Sequence, residues 1–254
     1  MLQTIRMLLL YFLLALLTIL WCLLSLLLGK LLPYRLRYRL IASFWSKAAI
    51  WLARHVTGIN YRVSGLENIP AQPCVILAKH QSTWETFFLS SLFEPLSQVL
   101  KQELLRIPVF GWALAMIKPI AIDRSQPRLA LRQLAEQGQL ALQHGNWLLI
   151  FPEGTRVPPG KVGKFSRGGA SLAVNAGVPV LPIAHNAGHY WPKDGWRKQP
   201  GVIEVVIGPP MWAEGTDGQA IAELNERAFA WVVKAQREIG SLDDESWEQL
   251  SAKQ

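Results

Sequence analysis

The chain has 254 residues and a formal charge of +8 at pH 7, and half of its residues are apolar. This length holds one good-sized core, or a core plus a membrane segment, without a second domain. Residues 1–60 contain seven of the 26 basic residues and no acidic one, so residues 61–254 keep 19 basic against 18 acidic residues. A segment that is both basic and apolar indicates binding to anionic lipid. The rest of the chain lacks the basic stripe with interleaved aromatic residues that is typical of nucleic-acid binding.

The first element is an apolar run from Met7 to Leu28, which contains no charged residue. A helix over this run is long enough to cross a hydrocarbon layer of ~30 Å. A cleaved signal peptide is the alternative, but its apolar region should be shorter and end in a small-x-small site. More basic residues follow the run than precede it, so the positive-inside rule predicts that the body lies in the cytoplasm. The basic residues after the run are Lys30, Arg35, Arg37, Arg39 and Lys47.

Residues 36–56 repeat tryptophan and aliphatic side chains among arginine and lysine. This pattern suits a helix at the lipid headgroup level, and it equally suits an amphipathic helix packed on the domain. Two cysteines, Cys22 and Cys74, provide neither a disulfide framework nor a thiolate metal site, which fits a reducing compartment.

After residue 60, short apolar runs alternate with longer helical patterns, which predicts an α/β fold with a mixed, largely parallel sheet flanked by helices. The predicted strands are Tyr61–Val63, Cys74–Ala78, Gln98–Leu100, Pro119–Ile122, Trp147–Phe151, Val178–Ala184 and Val202–Ile207. The predicted helices are Trp84–Phe93, Pro108–Ile117, Arg128–His144, Gly169–Asn175 and Gly218–Ile239. We expect a long loop over residues 185–201 and a solvated acidic tail around residues 243–248.

The motif KHQSTWE at residues 79–85 follows a predicted buried strand. His80 then lies just past the strand, at the edge where α/β folds place their chemistry, and is free to accept a proton. Glu85 can hold the imidazole in one tautomer and stabilise its cation. Because Glu85 also stands three residues after Ser82, a capping box at the start of the next helix is the alternative role for this carboxylate.

The motif FPEGTR at residues 151–156 leaves another predicted strand and turns at Pro152 and Gly154. Its free backbone amides and Arg156 can bind a phosphate or a glycerol hydroxyl, while Glu153 can accept a hydroxyl or orient a cation. A plain surface turn with an ion pair is the alternative. Further cations follow other strands, and each alone is typical of a solvated charge: Lys101, Arg106 and Arg124.

Several other catalytic templates are missing from the sequence. There is no G-x-S-x-G elbow, the spacing from Gly154 to Lys161 does not match a phosphate loop, and no H-E-x-x-H pattern or cysteine pair supports a metal. The remaining chemistry is direct acid/base transfer, without a cofactor or a covalent enzyme intermediate.

In four blocks between residues 79 and 184, the chain resembles the 1-acylglycerol-3-phosphate acyltransferases, the lysophosphatidate acyltransferases of bacterial inner membranes. The blocks occur in the family's order as KHQSTWE, KQELLRIPVFGW, FPEGTR and VPVLPIA. The resemblance implies that His80 is the general base, that Glu85 orients it and that Lys101 contacts the phosphate. The implied acceptor-binding turn consists of Glu153, Gly154, Thr155 and Arg156.

The resemblance also implies an organisation for the whole chain. Residues 1–57 would form a membrane anchor made of a helical pair, which either spans the bilayer or enters one leaflet. Residues 58–240 would form the acyltransferase α/β domain, and residues 241–254 a polar tail. The implied location is the bacterial inner membrane, with the catalytic domain on the cytoplasmic side.

The implied reaction moves a fatty acyl group from acyl-CoA or acyl carrier protein to the free hydroxyl of lysophosphatidate, giving phosphatidate without a cofactor. Glu85 departs from the family pattern, which usually has aspartate there. This departure leaves open another lysophospholipid, a lyso-ornithine lipid or glycerol 3-phosphate as acceptor. It also suggests a lipid-binding scaffold without turnover as an alternative. A membrane thioesterase that uses water as acceptor is a separate alternative.

Overall fold

The structure, a computed structural model, describes residues 1–123 and 126–251, with side chains except at 127, 128 and 251. Arg124 therefore lies outside the described residues. The chain divides into two compact units. Unit 1 comprises Met1–Gly58 and Thr86–Leu149, and unit 2 comprises Ile59–Glu85 and Ile150–Gln254.

The strands agree with the sequence prediction to within about two residues at each end. They are β1 Ile59–Ser64, β2 Val75–Ala78, β3 Leu96–Lys101, β4 Ile120–Ile122, β5 Trp147–Ile150, β6 Val180–His185 and β7 Gly201–Ile207. The α-helices are α1 Leu2–Leu28, α2 Tyr34–Tyr38, α3 Trp45–Thr57, α4 Trp84–Leu92, α5 Phe110–Ala115, α6 Pro127–Gln143, α7 Gly168–Ala176, α8 Ala187–Tyr190, α9 Gly218–Glu238 and α10 Asp244–Ser251.

The seven strands belong to a mixed, mostly parallel sheet, which confirms the predicted fold class. In unit 2 the order is β1-β7-β6-β2, where β1 pairs with β7 and β2 pairs with β6 in parallel, while β6 and β7 are antiparallel. In unit 1 the order is β5-β3-β4, with both pairings parallel. Strands β2 and β6 are buried at every position, which explains why they appear in the sequence as continuous apolar runs.

Helix α1 starts earlier than predicted and is long and apolar enough to cross a membrane by length and composition, with a mean hydropathy of 2.7. It contacts the helical segment that follows it in unit 1. The indole Nε1 of Trp45 donates to Thr18 Oγ1 over 3.3 Å, and the indole of Trp21 donates to the carbonyl of Leu40. The predicted helix over 36–56 is interrupted by a π-helix at Arg39–Phe44.

The loop at 185–201 and the polar tail differ from their predictions. The loop contains α8, and its residue Asn186 is buried. The side-chain oxygen of Asn186 accepts the backbone N–H of Glu204, which satisfies this buried polar group. The predicted solvated tail contains α10, and it is preceded by buried residues at Ser241 and Leu242. Backbone hydrogen bonds join Gly160 to the carbonyl of Ser241 and to the N–H of Asp243, so this segment is fixed to the loop that follows FPEGTR.

Candidate active site

His80 lies at the carboxyl end of β2 in unit 2. The β2–β6 ladder continues for one residue beyond the strand, because the N–H of Lys79 donates to the carbonyl of Ile183 over 3.0 Å. The chain then leaves the sheet, and the His80 side chain keeps 13% of its surface exposed. The imidazole therefore lies at the sheet edge that the sequence predicted.

Glu85 combines both roles that the sequence left open. Its Oε1 accepts the N–H groups of Gln81 and Ser82 at 2.9 and 2.8 Å, and the hydroxyl of Ser82 accepts the N–H of Trp84 at 3.0 Å. This is a capping box at the start of α4. The same Oε1 lies 2.8 Å from Nδ1 of His80, so one buried oxygen both caps the helix and contacts the imidazole.

The charge of Glu85 fixes the tautomer of His80. Burial by itself raises the pKa of the Glu85 carboxyl, but the hydrogen bonds from His80 and Ser82 oppose it, and the pKa stays below its ordinary value. An ionised carboxylate only accepts hydrogen bonds, so Nδ1 of His80 carries the proton. Its Nε2 then offers a lone pair and has no hydrogen-bond partner within residues 1–123 and 126–251.

Phe151, the first residue of FPEGTR, fixes the plane of the imidazole. Its ring stacks on that of His80 with centroids 3.8 Å apart and an angle of 14° between the planes. An aromatic face also attracts the cation that forms when the imidazole takes a proton. The two sequence motifs therefore meet at the His80 side chain within unit 2.

Glu153 was predicted to bind the acceptor, and its side chain is fully buried. Its carboxylate forms an ion pair with Lys79 at 2.7 Å and also accepts the backbone N–H groups of His80 and Gly163. Burial lowers the pKa of Lys79, and the Glu153 charge opposes that effect. The carboxylate thus contacts protein donors on the interior side of the turn.

The outer side of the turn is exposed at Gly154 and Thr155. Gly154 adopts a left-handed backbone with φ of +68°, and a Cβ at this position would have nothing within 4 Å. In the part of the chain that the structure describes, the guanidinium of Arg156 has no carboxylate within ion-pair distance. Burial, and then the charge of Arg156, lower the pKa of Lys198, whose ammonium donates to the carbonyls of Pro192 and Gly195.

A buried polar network also supports the His80 loop. His185 donates from Nε2 to the carbonyl of Lys79 over 2.8 Å and accepts the N–H of Ala187 at Nδ1. Gln236 on α9 donates to the carbonyl of His185, and its side-chain oxygen accepts from the amide of Gln81. These residues hold the loop between β2 and α4 in one conformation.

Sequence reasoning did not identify Lys79, Phe151, His185 or Gln236 as parts of the site. Lys79 could have been identified from the sequence, because it directly follows four apolar residues of a buried strand. A lysine in such a position needs a buried carboxylate as partner. Lys101 is the exposed last residue of β3 in unit 1, so its predicted phosphate contact stays a prediction. Among the described residues, no group of three histidine, cysteine or carboxylate side chains is arranged to hold a metal ion.

Several known proteins are similar to this chain. A family model described as Acyltransferase matches residues 60–186. A 1-acyl-sn-glycerol-3-phosphate acyltransferase of Pseudomonas aeruginosa is 65% identical over 240 residues, which cover 94% of this chain and 93% of that protein. A chloroplastic 1-acyl-sn-glycerol-3-phosphate acyltransferase of Brassica napus is 31% identical over 72% of this chain and 53% of its own length.

A solved structure gives the same result for the fold. The crystal structure of the 1-acyl-sn-glycerophosphate acyltransferase of Thermotoga maritima is similar with a TM-score of 0.76 and 25% identity, covering 95% of this chain and 98% of that chain. High identity over most of the chain, the matching family model and the shared fold all support one assignment: this chain belongs to the 1-acyl-sn-glycerol-3-phosphate acyltransferase family.

Proposed function

We propose that this enzyme transfers a fatty acyl group from a thioester, acyl-CoA or acyl carrier protein, to the free hydroxyl of lysophosphatidate, with His80 as general base. The observation that carries the proposal is the hydrogen bond of 2.8 Å between His80 Nδ1 and the buried Glu85 carboxylate. It leaves Nε2 as the basic atom on a partly exposed imidazole. The acceptor assignment draws on the activity for which the Pseudomonas relative is named.

In the proposed reaction, His80 Nε2 takes the proton of the acceptor hydroxyl as its oxygen attacks the thioester carbonyl. The imidazolium is stabilised by the Glu85 carboxylate behind it and by the Phe151 ring beside it. When the carbon–sulfur bond breaks, the imidazolium returns its proton to the leaving thiolate. The products are phosphatidate and a free thiol, and the enzyme regains its starting state without a covalent intermediate.

The proposed acceptor site is the outer side of the turn formed by Gly154, Thr155 and Arg156. An arginine that lacks a carboxylate partner among the described residues suits bidentate binding of a phosphate. The charge of Arg156 contributes to lowering the pKa of Lys198, so a phosphate bound at Arg156 would also offset the repulsion between the two cations. Lys101 remains another proposed phosphate contact, on the resemblance alone.

The experiment compares wild-type enzyme with the His80→Ala variant, each purified from membranes in mild detergent. Thiol release and phosphatidate formation are measured with lysophosphatidate and one labelled thioester. General-base loss should lower turnover roughly 10²- to 10⁴-fold. His189→Ala is the matched control, because His189 is exposed on α8, and it should keep wild-type turnover.

A panel of acceptors in the same assay separates the alternatives. Lysophosphatidate should give the highest turnover, ahead of other lysophospholipids, a lyso-ornithine lipid and glycerol 3-phosphate. Thiol release without any acceptor would instead indicate a thioesterase, and absence of thiol release would indicate a lipid-binding scaffold. Activity of His80→Ala within about threefold of wild type would remove His80 from the base role.

The anchor assignment is a separate part of the proposal. Helix α1 and the helical segment after it form a membrane-inserted pair, and the basic residues after α1 keep the catalytic domain on the cytoplasmic side of the inner membrane. The exposed apolar side chains along α1 support this placement. Extraction with alkaline carbonate should leave the protein in the membrane pellet, whereas release into the supernatant would contradict insertion.

A further inference from the structure

Lys79 and Glu153 form an ion pair whose two side chains have no exposed surface. We propose that this pair is a positioning device: it fixes the backbone of His80 against the FPEGTR turn, and Glu153 acts on the reaction without touching the acceptor. The inference rests on the proposed function, because it assumes that His80 is the reacting base. It assigns Glu153 a different task from the substrate contact that the sequence predicted.

The hydrogen bonds of the Glu153 carboxylate leave no place for a substrate hydroxyl. Oε1 accepts from Lys79 Nζ at 2.7 Å and from the N–H of Gly163 at 2.6 Å. Oε2 accepts from Lys79 Nζ at 3.0 Å and from the N–H of His80 at 3.1 Å. The four hydrogen bonds match the roughly four lone-pair sites of a carboxylate, and the side chain has no exposed surface that a substrate hydroxyl could reach.

These contacts tie both sides of the His80 peptide backbone to the segment around the turn. The N–H of His80 is held by Glu153, and its carbonyl accepts the N–H of Val157 at 2.8 Å. Lys79, the residue before His80, completes the link through its side chain. The pair therefore fixes the His80 Cα relative to the turn together with the Val157 hydrogen bond, and a misplacement of 1 Å can lower a rate about 10²-fold.

The burial of both charges makes the pair testable by a double-mutant cycle. Removing one partner leaves the other charge buried without compensation, whereas removing both leaves no charge to desolvate. Glu153→Gln also keeps an oxygen that can accept the His80 N–H. If the pair acts as one unit, the double variant must lose less activity than the product of the two single losses.

The experiment measures kcat and the KM for lysophosphatidate of Glu153→Gln, Lys79→Met and the double variant, in the full-length enzyme purified in detergent. Each single variant should lower kcat about 10- to 100-fold and keep KM within about threefold. The double variant should be no slower than the slower single variant. Arg62→Met and Glu204→Gln are the control cycle, because this pair lies at the surface of unit 2 and should leave kcat unchanged.

Several outcomes would overturn the inference. A tenfold rise in KM with unchanged kcat in Glu153→Gln would mean that the carboxylate binds the acceptor. Losses that multiply in the double variant, or single variants within twofold of wild type, would show that the pair does not act as a unit. A double variant without a cooperative thermal transition would likewise overturn it, because the pair would then serve folding itself.

The proposed function fails separately from this inference. An active His80→Ala variant would refute the base assignment even if the Lys79–Glu153 cycle shows coupling. An inactive His80→Ala variant together with additive losses at the pair would refute only the positioning role. A lower kcat with an unchanged KM indicates positioning, whereas a higher KM with an unchanged kcat indicates binding. A purely structural defect would instead lower activity in step with the unfolding temperature of each variant.

Discussion

Replacing Glu85 with glutamine removes a charge while keeping the shape of the side chain. Because the N–H groups of Gln81 and Ser82 both point at Oε1, the amide oxygen of glutamine must occupy that place. The His80 tautomer is then retained, since this oxygen still accepts from Nδ1. The amide nitrogen takes the place of Oε2, which is buried and has no hydrogen-bond partner among the described residues.

The expected loss in turnover follows from the contact that loses its charge. The hydrogen bond itself is present before and during proton transfer, so only the new charge–charge attraction changes the barrier. Unit charges 4 Å apart attract by about 4 kcal/mol at an effective dielectric constant of 20, and roughly half of this is lost if the proton is half transferred in the transition state. The barrier therefore rises by about 2 kcal/mol, which lowers kcat roughly 30-fold.

The assay measures kcat at saturating lysophosphatidate and the KM for this acceptor, for Glu85→Gln and Glu85→Asp. The aspartate variant keeps the charge and restores the usual residue of the family, so its loss should stay within about tenfold. The pKa of the Glu85 carboxyl is lower in the folded protein than its usual value of 4.5. The charge of this carboxylate therefore stabilises the folded state fully above pH 4.5, and this stabilisation is lost as the pH falls through the folded-state pKa. The difference in unfolding temperature between wild type and Glu85→Gln should therefore be constant from pH 6 to 8 and narrow below about pH 4.5.

Two results would refute this reasoning. If kcat of Glu85→Gln stays within threefold of wild type, the carboxylate only caps α4 and does not assist His80. If the change appears as a higher KM with unchanged kcat, Glu85 acts on acceptor binding and not on proton transfer. Glu136→Gln serves as the control, because Glu136 forms an exposed ion pair on α6 in unit 1 and should leave both constants unchanged.

Three further predictions concern other parts of the molecule. Arg156→Ala should raise the KM for lysophosphatidate about tenfold or more, with a smaller change in kcat. The control variant Arg132→Ala on α6 should change neither constant. A lower kcat with an unchanged KM would remove Arg156 from the phosphate site. Gly188→Ala should lower kcat, because a Cβ there would lie 2.9 Å from Cβ of Gln81 and push the loop that carries His80. Wild-type turnover of this variant would contradict the supporting role of α8. Burial raises the pKa of Cys74 to about 12, so this thiol should resist labelling by maleimide at pH 8 in the native enzyme. Labelling is measured by mass spectrometry of peptides, and rapid labelling would contradict the burial of Cys74.

Much of the fold was predictable because the strands are short apolar runs that end in polar or turn-forming residues. The runs before His80 and after Asn146 mark β2 and β5 from sequence alone, since every position in both strands is buried. The contact between His80 and Glu85 was also foreseeable, because five residues across a turn into a helix bring two such side chains together. Local spacing therefore determines the core of the candidate site.

The remainder of the site depends on contacts between segments far apart in the chain. Sequence spacing does not reveal that Glu153 points inward to Lys79 or that Gln236 reaches the carbonyl of His185, because each contact depends on how the sheet and α9 pack. The burial of the segment before α10 was hidden for another reason. Its acidic composition is typical of a solvated tail, although Leu242 pairs with the loop at Gly160.

The pairing of Gly160 with residues 241–243 has a consequence for how the protein matures. The loop from 157 to 163 contacts the candidate site at both ends, through Val157 and Gly163, and is fixed in its middle by a segment that the ribosome makes much later. The loop therefore cannot complete its folded contacts until residues 241–243 have been synthesised.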